Sequence, residues 1–290
     1  MGWTPVARTP DAVFASAKIN LFLHVGARRA DGYHELESLV VFADVGDELR
    51  IEPANGLRLE IDGPFSGALA TEPDNLVLRA ARALAAFAKI EPKAHIALTK
   101  NLPVASGIGG GSADAAAALR GLMRLWKLDI APEALQRIAV SLGADVPACL
   151  HGGSLLVEGI GERLTPVPNL PQLDAVLVNP GVAVSTAEVF NRLEVRSGTA
   201  SRAVPRDWNT LMRVLEQARN DLEEPACAIA PIIREAISEL CADPLALLVR
   251  MSGSGATCFA LYGNADCANA AARTIARAHP DWWVRAVRTK

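Results

Sequence analysis

Between Pro103 and Asp114 the chain reads PVASGIGGGSAD, four glycines in five positions, and an alanine run follows. Glycine tolerates positive φ and lets other groups approach the backbone closely, so successive N–H groups can turn toward one anion. A helix starting directly afterwards adds the partial positive charge of its N-terminus at the same point. A strand, a glycine loop and a helix in that order make a polyphosphate cradle; the plainer alternative is a turn that merely starts a helix. The loop is not of the Walker type, because no Gly-Lys-Ser/Thr follows. Nor does it fit the dinucleotide fingerprint, since Ser112 stands where the third glycine belongs.

Two charged residues lie where charge is unusual. Lys18 interrupts the apolar run VFASAKINLFLHV (13–25), and lysine is rarely buried unless paired. It either snorkels from an edge strand or meets a partner. Asp145 follows Gly143 and precedes Val146-Pro147 in a short apolar stretch. A carboxylate there either caps the next turn or stands ready to accept a proton. Across from each other the two would offset each other's charge. Asn20, two residues beyond Lys18, projects to the same face of the strand, as a polar contact or a structural amide. Tyr33 and His34, after Asp31-Gly32, pair an aromatic with an imidazole, a combination suited to stacking on a planar base and bonding its edge. His24, His95, His151 and His279 read as structural. Lys100, just ahead of the loop, is a phosphate contact or a solvated lysine. MSGSGAT (251–257) is a second small-residue turn, with Ser254 and Thr257 as polar candidates.

These residues need elements to hold them. Strands are expected at 13–25, 36–43, 47–52 and 57–62, punctuated by Gly46, Pro53–Gly56 and Gly63-Pro64. A helix runs from about Asn75 to Ile90, with Asp74 or Asn75 as its cap and Pro92 beyond its end. A strand at 93–99 leads into the glycine loop, a helix at 112–126, and another at 132–142 that begins at Pro132 and stops at Gly143. TPVPNLPQ (165–172) reads as a connector. Beyond it are expected a strand at 173–178 and helices at 185–193, 207–219 and 227–240. Strands at 246–252 and 256–262, a helix at 265–278 and a last strand at 282–287 complete the chain. The pattern is α+β in two lobes, 1–168 and 169–290.

Composition narrows the classes. Among 290 residues, 50% are hydrophobic and 21% charged, which excludes a disordered or low-complexity chain and gives material for about two cores at roughly 150 residues per domain. A net charge of −3 gives no general attraction to nucleic acid or anionic lipid, so neither partner is expected. Cys149, Cys227, Cys241, Cys258 and Cys267 show no metal-ligand spacing, and four of the five sit among apolar neighbours, as in a reduced, cytoplasmic protein. MGWTPVARTP lacks the basic and apolar regions of a secretory signal, and Val6 stands where a myristoylated Gly2 needs Ser or Thr downstream. The apolar stretch 75–90 is broken by Arg79 and Arg82, so no membrane span is expected.

The loop PVASGIGGGSADAA, the segment AKINLFLHV (17–25) and the segment MSGSGATCFA (251–260) resemble the three motifs of the GHMP kinase superfamily. ADGYHEL (30–36), LGADVP (142–147) and NPGVAVST (179–186) narrow the resemblance to the branch that phosphorylates 4-diphosphocytidyl-2-C-methyl-D-erythritol. The resemblance implies a two-domain GHMP fold with its active site in the cleft between lobes. It also implies ATP as phosphoryl donor, with Mg²⁺ carried by the nucleotide, and the 2-hydroxyl of the erythritol moiety as acceptor. Lys18 and Asp145 match the catalytic pair. Pro103, Val104, Ala105, Ser106, Gly107, Ile108, Gly109, Gly110, Gly111, Ser112 and Ala113, with Asn75 and Lys100, match the ATP side. Asn20, Tyr33, His34, Thr186 and Phe190 match the substrate side, where Tyr33, His34 and Phe190 would hold the cytosine of the CDP moiety. Ser112 could cap its helix, touch phosphate or approach the metal; no carboxylate cluster marks a dedicated metal site. The chain departs from the usual GLGGGSS at Ile108 and Ala113, and Ala105 and Ser106 stand where glycines are common. The competing readings are another GHMP small-molecule kinase, acting on homoserine or mevalonate, and a nucleotide sensor without turnover. A monomer or weak homodimer is expected.

Overall fold

The computed structural model describes residues 12–30, 32–69, 74–193 and 207–290. Asp31 and residues 1–11, on which the secretory-signal and myristoylation readings rest, lie outside the described residues.

The chain opens with two long antiparallel strands, β1 (Val13–Arg28) and β2 (His34–Glu52). Two strands were expected in place of β2, divided at Gly46. Gly46 instead lets β1 come close: a Cβ there would lie 2.2 Å from the Ala15 carbonyl oxygen. The glycine is therefore a point of contact within a continuous strand. β2 organises the first sheet. Its residues 36–40 pair with β5 (Leu155–Gly159) and residues 48–52 with β4 (Ala94–Thr99). β3 (Leu57–Asp62) joins β4 in parallel and β6 (Arg163–Pro166) joins β5. β5 and β6 were not foreseen, and the expected connector at 165–172 begins inside β6. Pro166 is tolerated there because it sits at the end of an edge strand, where a missing N–H costs no ladder bond.

The second sheet is antiparallel throughout, in the order β10 (Trp283–Arg288), β7 (Asp174–Asn179), β9 (Cys258–Tyr262), β8 (Leu248–Met251). The first-lobe helices are α1 (Leu76–Ala88), α2 (Gly110–Leu125), α3 (Pro132–Leu142) and α4 (Val146–His151). The second lobe carries α5 (Thr186–Asn191), α6 (Trp208–Gln217), α7 (Glu223–Ile229), α8 (Ile232–Cys241) and α9 (Ala265–Ala278). The single helix expected at 227–240 is two, because Pro231 has no N–H to continue the first and instead caps the second. α4 is one and a half turns between Asp145 and Gly152, too short for its periodicity to show in the sequence.

β1 threads three cores. Val13 and Ala15 pack with α1 and α2, Ala17, Ile19 and Leu21 pack between the two sheets, and Leu23 and Val25 join the core of the second lobe. This leaves Lys18 and Asn20 on the strand's other face. α2 lies deep against β1 and β2, with Ala115, Ala116, Ala117 and Ala118 all fully buried. Among the described residues no cysteine is bonded to another and no helix is long and apolar enough to cross a membrane.

His24 joins the lobes. It is buried, stacks on Phe22, and its Nε2 accepts the Arg219 backbone N–H at 3.2 Å. Burial, then the nearby charge of Arg219, lowers its pKa from 6.5, in keeping with a ring that must offer a lone pair. The unfolded chain therefore binds the proton more readily, so this contribution is complete above the unfolded value and is lost as pH falls through and below about 6.5. Chemical unfolding followed from neutral to mildly acidic pH should show a steeper loss of stability in the parent than in His24→Gln. Superimposable profiles would remove His24 from the pH dependence.

Candidate functional site

A cleft of about 620 Å³ lies between the lobes, and both charged residues singled out above reach it. Lys18 Nζ donates to Asp145 Oδ1 at 2.6 Å; the lysine side chain is 5% exposed and the aspartate 47%. Asp145 stands at the N-cap of α4 without making a capping bond. The carboxylate is instead held by the ammonium, with its outer face open to the cleft. The Lys18 backbone N–H donates to the Ile108 carbonyl at 2.9 Å, so the strand and the glycine loop are joined directly above the pair.

The glycines have separable reasons. Gly109 sits at the N-cap of α2 with φ +65°, and a Cβ there would come within 3.2 Å of Lys18 Cβ and Cε. Gly107, at φ +74°, would place a Cβ 2.4 Å from the Ser252 carbonyl oxygen. Ala105 also has positive φ, +50°, which costs an alanine about 1–2 kcal/mol relative to right-handed backbone. Pro103, Val104, Ala105, Ser106, Gly107, Gly109, Gly110, Gly111 and Ser112 all line the cleft. Ile108 and Ala113 do not: both side chains are buried in core, so only their backbones can serve the site. Ser112 lies inside the first turn of α2, and the side-chain capping suggested for it is not made, because Gly109 is the N-cap.

The turn at 251–257 packs on this loop from the other lobe. Ser252 Oγ accepts from the Asn20 N–H and donates to the Gly107 carbonyl, each at 3.1 Å, and the Thr257 N–H donates to the Ser106 carbonyl at 3.0 Å. Ser254 and Thr186 face the cleft with their hydroxyls 2.8 Å apart. Thr257 does not act as a cleft contact: it is fully buried and its Oγ1 accepts from Asn179 Nδ2 at 3.0 Å.

Asn20 lines the cleft with Nδ2 donating to Ser38 Oγ at 2.7 Å, while its buried Oδ1 has no hydrogen-bond partner. His34 and Phe190, from different lobes, face each other with ring centroids 5.8 Å apart, and Phe190 lines the cleft. His34 Nδ1 lies 3.1 Å from the Gly26 carbonyl oxygen. Neither Tyr33 nor His34 is among the lining residues; Tyr33 is 61% exposed, and His34 reaches the cleft's edge only through its ring contact with Phe190.

On the other side, Asn75 does both things open to it: Oδ1 accepts the Val77 N–H at 2.9 Å to cap α1, and the residue lines the cleft. Lys100 is not a solvated lysine. It is 2% exposed, and its ammonium donates to Asp47 Oδ2 at 2.5 Å and Asp114 Oδ2 at 2.7 Å. Burial pulls its pKa down, but the charges of Asp114 and Asp47 outweigh this and raise it. Burial, and then the charge of Asp47, pushes the Asp114 carboxyl well up. Asp47 Oδ1 also accepts the N–H groups of Asn101 and Leu102, at 2.6 and 2.8 Å, so the cluster holds the approach to the glycine loop.

Sequence reasoning missed Asp47, Asp114, Ser38 and Ser252. Asp114 had a readable signal, a carboxylate inside an otherwise alanine face. Asp47 and Ser38 had none, since their partners are more than ten residues away in the chain.

The family GHMP kinases N terminal domain matches residues 75–153, and GHMP kinases C terminal matches 199–281. A protein of Ruegeria pomeroyi named 4-diphosphocytidyl-2-C-methyl-D-erythritol kinase is 54% identical over 275 residues, 93% of this chain and 96% of that protein. A Granulibacter bethesdensis protein of the same name is 52% identical over 271 residues, 91% of this chain and 89% of its own length. The crystal structure of a 4-(cytidine 5'-diphospho)-2C-methyl-D-erythritol kinase superposes with a TM-score of 0.76 at 33% identity, covering 96% of this chain and 99% of that one. A homoserine kinase from Cytophaga hutchinsonii shares the fold, with a TM-score of 0.72 at 19% identity over 99% of this chain and 98% of its own.

Two glycines of the loop should separate in a stability test. Gly109→Ala strains a left-handed position by about 1–2 kcal/mol and crowds the Lys18 stem, so its thermal midpoint should fall. Gly111→Ala, in the first turn of α2 with open space around it, should unfold at or above the parent's temperature. Equal midpoints for the two variants would contradict the packing described.

Proposed function

The chain belongs to the GHMP kinases, in the family of 4-diphosphocytidyl-2-C-methyl-D-erythritol kinases, and we propose from this how its own residues carry the family's reaction. That reaction transfers the γ-phosphoryl group of ATP to the 2-hydroxyl of 4-diphosphocytidyl-2-C-methyl-D-erythritol, giving the 2-phosphate and ADP, a step of non-mevalonate isoprenoid precursor synthesis. What supports the assignment of roles most directly is the Lys18–Asp145 pair, 2.6 Å long, directly beneath the glycine loop.

Phosphoryl transfer asks a protein for positioning and charge neutralisation more than for covalent chemistry. The open face of Asp145 takes the proton of the acceptor hydroxyl as its oxygen bonds to phosphorus and the bond to the ADP oxygen breaks. Lys18 keeps its protons throughout and offsets the negative charge gathering between carboxylate and phosphoryl group. The backbone N–H groups of the loop and the first turn of α2 bind the phosphates. Asn20 presents its unpartnered Oδ1 to the diol, and Asn75 lies at the nucleotide end. Lys100 acts through Asp47 and Asp114 on the loop. Tyr33, His34 and Phe190 hold the cytosine, with Thr186 beside them.

Magnesium carried by the nucleotide would supply charge neutralisation of the phosphates. Among the described residues there is no group of three or more His, Cys, Asp or Glu that could hold a metal by itself. Ser112, which lines the cleft at the start of α2, is the protein oxygen that would approach such an ion, the phosphates supplying its other ligands. We place the domain boundary at 168, between β6 and β7, and the protein in the cytoplasm as a monomer or weak homodimer.

Coupled measurement of ADP release in the presence of Mg²⁺ tests the acceptor. Turnover is expected with 4-diphosphocytidyl-2-C-methyl-D-erythritol and not with homoserine or mevalonate; turnover on either of the latter would overturn the substrate. Asp145→Asn should bind ADP as the parent does and lose at least about a hundredfold in kcat. Parental turnover in that variant would remove Asp145 as the proton acceptor.

A further inference from the structure

Between α6 and α7 the chain reads Arg219-Asn220-Asp221, a segment that none of the motifs above includes. It lies along β1, with Leu23 and Asn220 forming an isolated parallel bridge. The Leu23 N–H donates to the Arg219 carbonyl at 3.0 Å, the Asp221 N–H to the Leu23 carbonyl at 2.9 Å, and the Val25 N–H to Asp221 Oδ2 at 2.8 Å. Asn220 is 7% exposed, and both ends of its amide are engaged. Nδ2 donates to the Met251 and Gly253 carbonyls, each at 2.8 Å, and Oδ1 accepts the Leu222 N–H at 3.0 Å.

Those two carbonyls flank Ser252. The Ser252 hydroxyl is the link described above, accepting from Asn20 on the catalytic strand and donating to Gly107 in the phosphate loop. The turn is closed by its own bonds, Ser252 N–H to the Thr257 carbonyl at 2.9 Å and Gly255 N–H to the Ser252 carbonyl at 3.1 Å, but the Met251 and Gly253 carbonyls take no part in them. One side chain, Asn220, holds the backbone on both sides of Ser252. We propose that Asn220 is a positioning residue for phosphoryl transfer. Through Ser252 it sets the distance between the face of β1 that carries Lys18 and Asn20 and the loop that holds the phosphates. This rests on the phosphoryl-transfer reading given above.

The alternative is that Asn220 only closes the Asx turn ahead of α7, through the Leu222 N–H. Asn220→Asp separates the two: it keeps an oxygen for the Leu222 N–H but replaces both donors with an acceptor facing two buried carbonyls, which must then part. The experiment compares Asn220→Asp, Ser252→Ala, their double variant and Leu240→Ala, a cavity in the core of the same lobe at the last turn of α8. Steady-state kinetics, thermal unfolding and amide hydrogen exchange over residues 103–112 are read for each. Asn220→Asp and Ser252→Ala should each lower kcat by about tenfold or more and raise the KM for ATP, since small misplacements of reacting groups are costly. Exchange over 103–112 should quicken in both, and the double variant should be no worse than the poorer single one. Leu240→Ala should lose as much thermal stability while keeping kcat within about twofold of the parent. Asn220→Asp kinetics that match Leu240→Ala at equal loss of stability would overturn the proposal, as would losses that multiply in the double variant. Should Asn220→Asp not fold, Ser252→Ala decides: parental kinetics and exchange would overturn the proposal. A parent without turnover on the cytidylated acceptor would refute the substrate reading and leave the exchange comparison to be judged separately.

Discussion

A lysine ammonium inside a strand that threads three hydrophobic cores must find a counter-charge, and the position of Asp145 follows from that need. Burying an unpaired charge is far more expensive than burying a paired one. The carboxylate is delivered by the tight junction of α3, Gly143 and α4, which ends one helix and starts the next within three residues. Because α4 takes no cap from Asp145, the aspartate is free for the ammonium on one side and the cleft on the other. The pair thus couples the placement of α4 to the placement of β1. The glycine loop then settles above it through the bond from the Lys18 N–H to the Ile108 carbonyl.

Around this pair the site is assembled from backbone more than from side chains. The phosphate loop, the 251–257 turn and β1 meet through N–H and carbonyl groups, with single hydroxyl or amide side chains at the junctions. Close backbone approach requires residues without side chains, which explains why both loops are glycine-rich and why Gly107 faces the Ser252 carbonyl. Polar clusters anchor the periphery: Asp47, Lys100 and Asp114 on one side, Asn220 and Asp221 on the other. Each joins segments far apart in the chain, so the two lobes present one surface to a ligand.

Legibility in the sequence followed the range of the interaction. The α+β character, most helix limits and the Lys18, Asp145 and glycine-loop motifs could be read because they depend on local pattern or on charge in an apolar run. The facing of Phe190 and His34, 5.8 Å between ring centroids, had no local signal; only resemblance, which carries tertiary information that periodicity does not, pointed to both. Gly46 was misread because turn chemistry and close strand contact use the same residue. β5, β6 and α4 were missed because elements of four to six residues show no usable period. Thr257 faces Asn179 and not the cleft because a motif says which residues are near a site and not which way each faces. Asp47 and Asn220 were invisible, since nothing local distinguishes a clamp from an ordinary polar residue.

The buried alanines of α2 carry a consequence for how such a chain can change over generations. Four successive positions, Ala115 to Ala118, are fully buried and, about 100° apart around the helix, face different neighbours, so methyl groups set the spacing of α2 to β1, β2, α1 and α4. A larger residue at any of them would shift the helix, and with it the N-terminus that faces the phosphates. Drift here is therefore confined to paired exchanges, a gain of volume on the helix matched by a loss on β1, β2 or α1. The N-terminus of α2 that faces the cleft is thereby held at a spacing set by methyl groups.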